Sequence, residues 1–478
     1  MALFRLANLC TRTGWNEVIS GIPALSSSAT LNFNHRRYGT APTAGKDIVL
    51  VEGVRTPFLM SFTDYKKMMP HELQRAALKG LLDRTGIDPK IVEYMCIGTV
   101  IQEVKTSNIA REAGMAAGFD LSTPAHTVTM ACISSNAAIT TCIGYINSNV
   151  YDVCIAGGVE MMSDVPIRHS RAMRALMLQL NRARTTQARL KIISQIRPKH
   201  FAPELPAITE FSTGEVMGHS ADRLATAFGV SRQEMDEFAL RSVLSAPRSH
   251  TYAQQAQDNG DLSDVLTISV GDGKTVGKDN GIKVASMDKL SSLKAAFVKP
   301  HGRVTAANSS FLTDGASACL IMTEKKAKKL GLKPKAYLRD FVYVSQDPKD
   351  QLLLGPAYAI PKVLKHSKLK MSDIGVWEIH EAFAGQLLAN FRAMESDRFG
   401  KEVAGWGGAV GAPDIDKVNL WGGSLSLGHP FGATGVRLVT HAANRMIKED
   451  QQLACVAACA AGGQGVAAIV ERYPGATV

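Results

Sequence analysis

The sequence predicts an α/β protein made of two similar halves, and three observations carry that expectation. Short strands rich in β-branched residues alternate with helices of amphipathic spacing, a pattern that favours parallel pairing. A loop, helix and strand recur in the same order around Cys132 and around His429. The chain has 478 residues, 45% hydrophobic and 20% charged, which is enough for two or three core-bearing units.

Residues 1–45 are set apart from this fold. They carry Arg5, Arg12, Arg36 and Arg37, serines at 26 to 28, and Glu17 as their one acid. Arg-rich, Ser-containing and acid-poor is the composition of a mitochondrial transit peptide, whereas a secretory signal needs an uninterrupted apolar core.

The first half is expected over 46–163 with a return at 302–323. Residues 47–53 form a short apolar run that stops at Gly53 and Arg55-Thr56-Pro57, the mark of a buried strand entering a loop. Residues 72–85 place Leu73, Ala77, Leu78 and Leu81 on one helical face, and 94–100 reads as the next strand, parallel to the first. Small residues at 133–138 then open a helix over 137–147, and 153–158 is an apolar strand. The second half, 324–478, repeats this: a strand over 337–344, a glycine-rich loop at His429, a helix over 435–448 and strands over 453–458 and 467–470. The duplication puts Cys132 and His429 at matching places, each at the start of a central helix.

Residues 164–301 are an insertion. Its first part, from Arg168 to Lys199, holds nine arginines and lysines and no acid, with Leu176, Leu180, Leu190 and Ile193 interleaved at helical intervals. This reads as a basic amphipathic element suited to an anionic membrane, a partner subunit or a phosphate-bearing substrate. The whole chain is basic as well, at +11 with a pI near 9.2. No apolar run approaches the length of a membrane span.

The eight cysteines are scattered, and Cys96, Cys154 and Cys319 lie in apolar runs. Cys455 and Cys459 are the closest pair, without further ligands at metal spacing, so a reduced, metal-free protein is expected.

Four segments carry chemistry: Cys132 with Ile133-Ser134-Ser135-Asn136, His380-Glu381-Ala382-Phe383, Gly428-His429-Pro430, and Cys459-Ala460-Ala461-Gly462-Gly463. Together they offer a nucleophile at a helix start that favours thiolate, a base, a second acid/base and amide donors for an oxyanion. In this order and spacing they closely resemble the thiolase family over residues 47–473. The resemblance implies a five-layer α-β-α-β-α sandwich with an inserted loop domain. It implies thiolysis of a 3-oxoacyl-CoA in fatty-acid β-oxidation, with coenzyme A as substrate and no cofactor or metal.

Carried onto this chain, the family pattern makes Cys132 the nucleophile that holds the acyl group, and His429 the base and an oxyanion contact. Cys459 becomes the acid/base that serves the acetyl-CoA enolate, and the amide of Ala461 joins that of Cys132 in an oxyanion hole. Alanine at 461 calls for ordinary backbone angles there. His380 stands where most relatives have asparagine, which puts a water-mediated hole in doubt and implies an oxyanion or orienting role for the imidazole itself. Glu381 is expected to orient rather than to act as base. Met217 and Gly462 fall on substrate-binding positions, and Val216, where histidine is common, makes the acyl pocket more apolar.

His380 also points to one subgroup of the family. These are mitochondrial subunits that act, as homodimers within a hetero-oligomer, beside a hydratase/dehydrogenase alpha subunit on the matrix side of the inner membrane. A short-chain acetyl-CoA C-acetyltransferase and a condensing enzyme of the ketoacyl synthase kind are the competing enzymes; Cys459 disfavours the second. A non-catalytic scaffold binding membrane or nucleic acid is the competitor from another class, and intact Cys132, His429 and Cys459 argue against it.

Overall fold

The computed structural model describes residues 47–206, 209–240 and 249–478. The expected transit peptide, residues 1–45, lies outside the described residues.

The first half runs β1 (Ile48–Arg55), β2 (Leu59–Met60), α1 (Pro70–Thr85), β3 (Tyr94–Gly98), α2 (Ile109–Ala117), β4 (Ala125–Val128), α3 (Ser134–Asn147) and β5 (Val153–Glu160). The insertion follows with β6 (Arg168–His169), α4 (Arg171–Arg182), α5 (Thr186–Ile193), β7 (Pro203–Glu204), α6 (Met217–Ala227), α7 (Arg232–Leu240), α8 (Ser249–Asp258), β8 (Ile268–Gly271), β9 (Lys274–Val276) and α9 (Met287–Ser291). The chain returns along β10 (Thr313–Thr323) and α10 (Glu324–Lys329). The second half is β11 (Ala336–Ser345), α11 (Gly355–Ser367), β12 (Val376–Ile379), α12 (Ala384–Glu395), α13 (Ser424–Leu427), α14 (Thr434–Lys448), β13 (Leu453–Ala460) and β14 (Gln464–Arg472).

Strand order shows the duplication directly. The first half reads β1-β10-β5-β3-β4 and the second β11-β14-β13-β12, each beginning with its first strand and continuing to its last. The two meet where Val49 and Leu50 of β1 pair antiparallel with Tyr337 and Ala336 of β11. The parallel pairing expected of β1 and β3 does not occur: the two run in the same direction, but β10 and β5 lie between them.

Alternation along the strands sorts side chains into layers. Leu50, Cys154 and Ile321 from one half, with Ala454 and Val456 from the other, face a shared core filled by Ile139 and Cys142 of α3 and Val439 and Ala442 of α14. Their neighbours Val49, Ile155 and Leu320 face α1 and α2. Cys455, Ala457 and Ile469 face α11 and α12. The result is the expected five-layer sequence of helix, sheet, helix, sheet, helix.

The central helices start unusually close together. A Cβ on Gly435 would lie 2.6 Å from the backbone nitrogen of Asn136, so only glycine lets α14 begin against α3. That approach sets the loops before the two helices, with Cys132 and His429, side by side.

The insertion is mostly helical. Ala221 and Leu224 of α6, with Met235 and Phe238 of α7, are buried in the same core as Leu387 and Phe391 of α12. The basic stretch forms two helices, α4 and α5, rather than one amphipathic element. Only Met173 and Leu176 of this pair are buried, while Leu178, Leu190 and Ile193 are 62%, 62% and 46% exposed. Arg174 is paired with Glu204, an acid just beyond the stretch. No helix among the described residues is long and apolar enough to cross a membrane.

Candidate active site

Cys132 lies in the turn that leads from β4 into α3. Ser134 closes this turn: its Oγ accepts from the amide of Met130 at 2.8 Å and donates to the carbonyl of Ala131 at 2.7 Å. Ala131 sits at φ +45°, a left-handed angle that costs a non-glycine residue energy and turns the next side chain out of the helix direction. No residue pattern around Ala131 signals that strain.

His429 is held from both sides. Its amide donates to Thr313 Oγ1 at 3.0 Å, and its Nδ1 meets Thr434 Oγ1 at 2.6 Å. The Thr434 hydroxyl in turn donates to the carbonyl of Pro430 at 3.1 Å. Its proton being spent there, Thr434 accepts from His429 Nδ1–H, and hydrogen-bond accounting leaves Nε2 of His429 with a free lone pair. The segment at 308–316 supports the site from beneath: Thr313 belongs to it, and Ser310 and Asn308 bond the backbone of Ala382 and Ala384.

His380 follows β12. Its Nδ1 is 2.9 Å from Ser424 Oγ, and its ring centroid is 4.0 Å from that of His429 at an interplanar angle of 43°. The Nε2 atoms of both histidines are buried and without a hydrogen-bond partner. Cys132 Sγ and one ring nitrogen from each lie within 4.8 Å of one another, and they are the one His/Cys/Asp/Glu group among the described residues with metal-ligand proximity.

Cys459 is buried near the end of β13, opposite Gly465 of β14. In the loop between these strands Gly462 and Gly463 have φ of +86° and +66°, while Ala461 keeps ordinary angles, as alanine requires. The Ala461 amide lies close enough to the sulfur of Cys132 to favour its thiolate. The amide of Gly462 is taken by Glu210 Oε2 at 2.7 Å, a partner from the insertion that spacing could not reveal. Met217 opens α6 and packs, half-buried, against the core of the second half. Behind it a Cβ on Gly218 would strike the ring of Phe297, which lies edge-on to Phe383 of the His380 segment. Glu381 accepts from Ser249 Oγ at 2.8 Å and Asn419 Nδ2 at 2.6 Å, an orienting position.

Electrostatics correct one expectation. Burial pushes the Cys132 thiol up to about 11, the Ala461 amide opposing and the charge of Glu160 adding to it. The start of α3 does not make a resting thiolate, because desolvation outweighs the helix dipole. Burial raises Cys459 further, with Cys132 beside it. Burial, assisted by the positive charge of Arg437, lowers His380 to about 3. His429 is also well below its usual range, through burial first and then His380 and Arg437.

Glu160 is among the residues that sequence reasoning missed. It ends β5, fully buried, and accepts the amides of Val100, Ile101 and Gly432 at 3.1, 2.9 and 3.0 Å. One carboxylate therefore ties a loop of the first half to the His429 loop. A lone acid closing the apolar run from Val153 was the available signal.

The geometry unites a thiol, two neutral imidazoles, a second thiol and a nearby backbone amide, and comparison with known proteins gives the family. The family descriptions "Thiolase, N-terminal domain" and "Thiolase, C-terminal domain" match residues 48–325 and 332–472. "Trifunctional enzyme subunit beta, mitochondrial" of Mus musculus is 60% identical over 98% of this chain and 98% of its own length. A "Probable 3-ketoacyl-CoA thiolase" of Caenorhabditis elegans is 56% identical over 91% and 98%. The crystal structure of human mitochondrial 3-ketoacyl-CoA thiolase superposes with a TM-score of 0.75 at 27% identity, covering 89% of this chain and 99% of that one. Family match, sequence identity and fold thus agree along most of the chain, and the chain belongs to the thiolase family.

Proposed function

We propose that the chain is a 3-ketoacyl-CoA thiolase of fatty-acid β-oxidation. It cleaves a 3-oxoacyl-CoA with coenzyme A to acetyl-CoA and an acyl-CoA two carbons shorter. The observation that carries this reading is the convergence of Cys132 Sγ with the ring nitrogens of His380 and His429, with the Ala461 amide close to the sulfur.

His429 Nε2 takes the Cys132 proton as the sulfur attacks the 3-keto carbon, so the thiolate exists only when substrate is in place. The oxyanion formed at that carbon is received by the amides of Cys132 and Ala461. The C2–C3 bond then breaks, its electron pair becomes the acetyl-CoA enolate, and the shortened acyl group stays on Cys132. The enolate oxygen lies against His380 and the now protonated His429, and Cys459 gives its proton to C2. Each well-aimed donor is worth about 3 to 4 kcal/mol.

Proton accounting directs the second half. His429 already holds the proton of Cys132, so the thiol of coenzyme A loses its proton to the Cys459 thiolate. Its sulfur takes the acyl group, and His429 returns the proton to Cys132. Nothing in this cycle requires a metal or a redox cofactor.

The name of the mouse relative supports a mitochondrial setting and a hetero-oligomer with an alpha subunit. Within it, thiolase chains form a homodimer on the matrix side of the inner membrane, and α4 with α5 meets anionic lipid. A preference for long chains accords with the apolar Val216 beside Met217.

The deciding assay is coenzyme A-dependent cleavage of 3-ketohexadecanoyl-CoA against acetoacetyl-CoA, by wild type and Cys132→Ser. Long-chain cleavage that disappears in the variant is expected. Activity on acetoacetyl-CoA alone would make the protein a short-chain acetyltransferase instead.

A further inference from the structure

Kept neutral by burial, His380 is useful to an enolate only with its proton on Nε2. Free imidazole favours neither nitrogen strongly enough to guarantee this, and a ring with Nε2 bare would repel the developing oxyanion. We infer that Ser424 and Arg437 are positioning residues that hold His380 in the Nε2–H form. This rests on the thiolase reading of the site.

Arg437 is fully buried, and its guanidinium has no acceptor state, so its Nη2 can only donate; it does so to Ser424 Oγ at 3.1 Å. Ser424 is fully buried too, and its Oγ has one other neighbour, His380 Nδ1 at 2.9 Å. Were Nδ1 to carry the proton, Ser424 would receive two donors and its own hydroxyl hydrogen would be buried without an acceptor, an unmade hydrogen bond that burial makes costly. With Ser424 donating to Nδ1, the Ser424 hydroxyl both accepts and donates and Nδ1 has its donor, so Nε2 carries the hydrogen. That hydrogen faces the region of the Cys132 sulfur: Nε2 is the ring atom left without a protein partner, and Cys132 Sγ lies within 4.8 Å of a ring nitrogen of His380.

Thr434 does the opposite to the neighbouring ring. It spends its proton on Pro430, accepts from His429 Nδ1–H, and leaves His429 Nε2 bare. Two histidines 4.0 Å apart are therefore set as one acid-side donor and one base by two hydroxyls that differ only in where their own proton goes. Arg437 is anchored in turn by Glu378, which Arg445 also engages at 2.8 Å, so the direction of donation is fixed from the core outward.

A double-mutant cycle tests this, read by thiolysis, by exchange of the C2 protons of acetyl-CoA, and by alkylation of Cys132. Ser424→Ala is expected to lower kcat and the exchange rate by about 10²-fold with little change in KM, the loss of one oxyanion donor. Iodoacetamide alkylation of Cys132 should be unchanged. In a His380→Asn background the amide carries its own N–H and needs no relay, so Ser424→Ala should cost less than about threefold there, well short of additivity. Equal losses in both backgrounds, or no loss in either, would overturn the assignment. If the alanine variant does not fold, Ser424→Cys keeps the volume, weakens the donor and reads the same cycle. An inactive wild type would instead count against the thiolase reading itself.

Discussion

The rings of His380 and His429 lie 4.0 Å apart, and the Nε2 of each is buried without a partner. Two imidazolium charges at that separation are unfavourable, so the pair accepts one proton at a time. Holding both rings neutral is also a stability statement. Their folded pKa values lie below the unfolded 6.5, to about 3 for His380, so the unfolded chain binds more protons once pH falls below about 6.5. Their contribution is fully present above that pH and is lost as pH falls toward 3. Denaturant titrations between pH 7 and 4 should show a loss of stability that is smaller in His380→Asn; an equal slope in both proteins would contradict the pairing.

The raised thiol of Cys132 predicts a particular pH profile for its alkylation. With a pKa of about 11, iodoacetamide inactivation should accelerate about tenfold per pH unit from 7 to 10, with no plateau. A plateau below pH 8 would reveal a preformed thiolate and would restore the helix-dipole expectation.

How much of this was legible in the sequence depends on where a residue's partner lies. Strands and helices around Cys132 and His429 follow from periodicity, and the duplication explains why the two loops meet. Glu160, Ser424 and Thr434 were not singled out. Glu160 bonds Gly432, distant in the chain, and no local pattern carries that information. Periodicity found the apolar positions of α4 and α5 but not their exposure, because spacing defines a face and says nothing about what covers it. The thiolate expectation failed for a related reason: the helix start is a local feature, whereas desolvation is a property of the assembled core.

Cys459 should separate the two halves of the cycle. Cys459→Ala is expected to keep acylation of Cys132 by a ready-made acyl-CoA and to lose C–C cleavage by orders of magnitude. Rapid-quench measurement of acyl-enzyme and of acetyl-CoA release distinguishes the steps, and parallel loss of both would sink the acid/base role.

Glu160 offers a stability test with a defined sign. Burial raises its pKa to about 7 against the carboxylate value of 4.5, despite three amide donors. Its contribution is therefore present below pH 4.5 and is lost as pH rises through 7, by at most about 3 kcal/mol. Glu160→Gln cannot titrate, but it turns one nitrogen toward a backbone donor. The variant should be less stable than wild type at pH 5, with the gap narrowing toward pH 8. A gap that widens over that range would contradict the raised pKa.

The α4 and α5 pair is predicted to bind anionic bilayers through the combination it exposes. Arg171, Arg182, Arg184, Arg189 and Lys191 stand beside Leu178, Leu190 and Ile193, which are uncovered in this chain. Cations near an anionic surface contribute about 1 kcal/mol each, and inserted leucines add apolar burial that salt does not screen. Sedimentation with vesicles containing anionic lipid should therefore fall only in part as salt rises. Changing Arg182, Arg184 and Arg189 together to glutamate should abolish most of the salt-sensitive part, by about 3 kcal/mol or more. Changing Leu190 and Ile193 to serine should remove the salt-resistant remainder. Thiolysis of a soluble substrate should survive both sets of changes. Undiminished sedimentation in both would show that another surface meets the membrane.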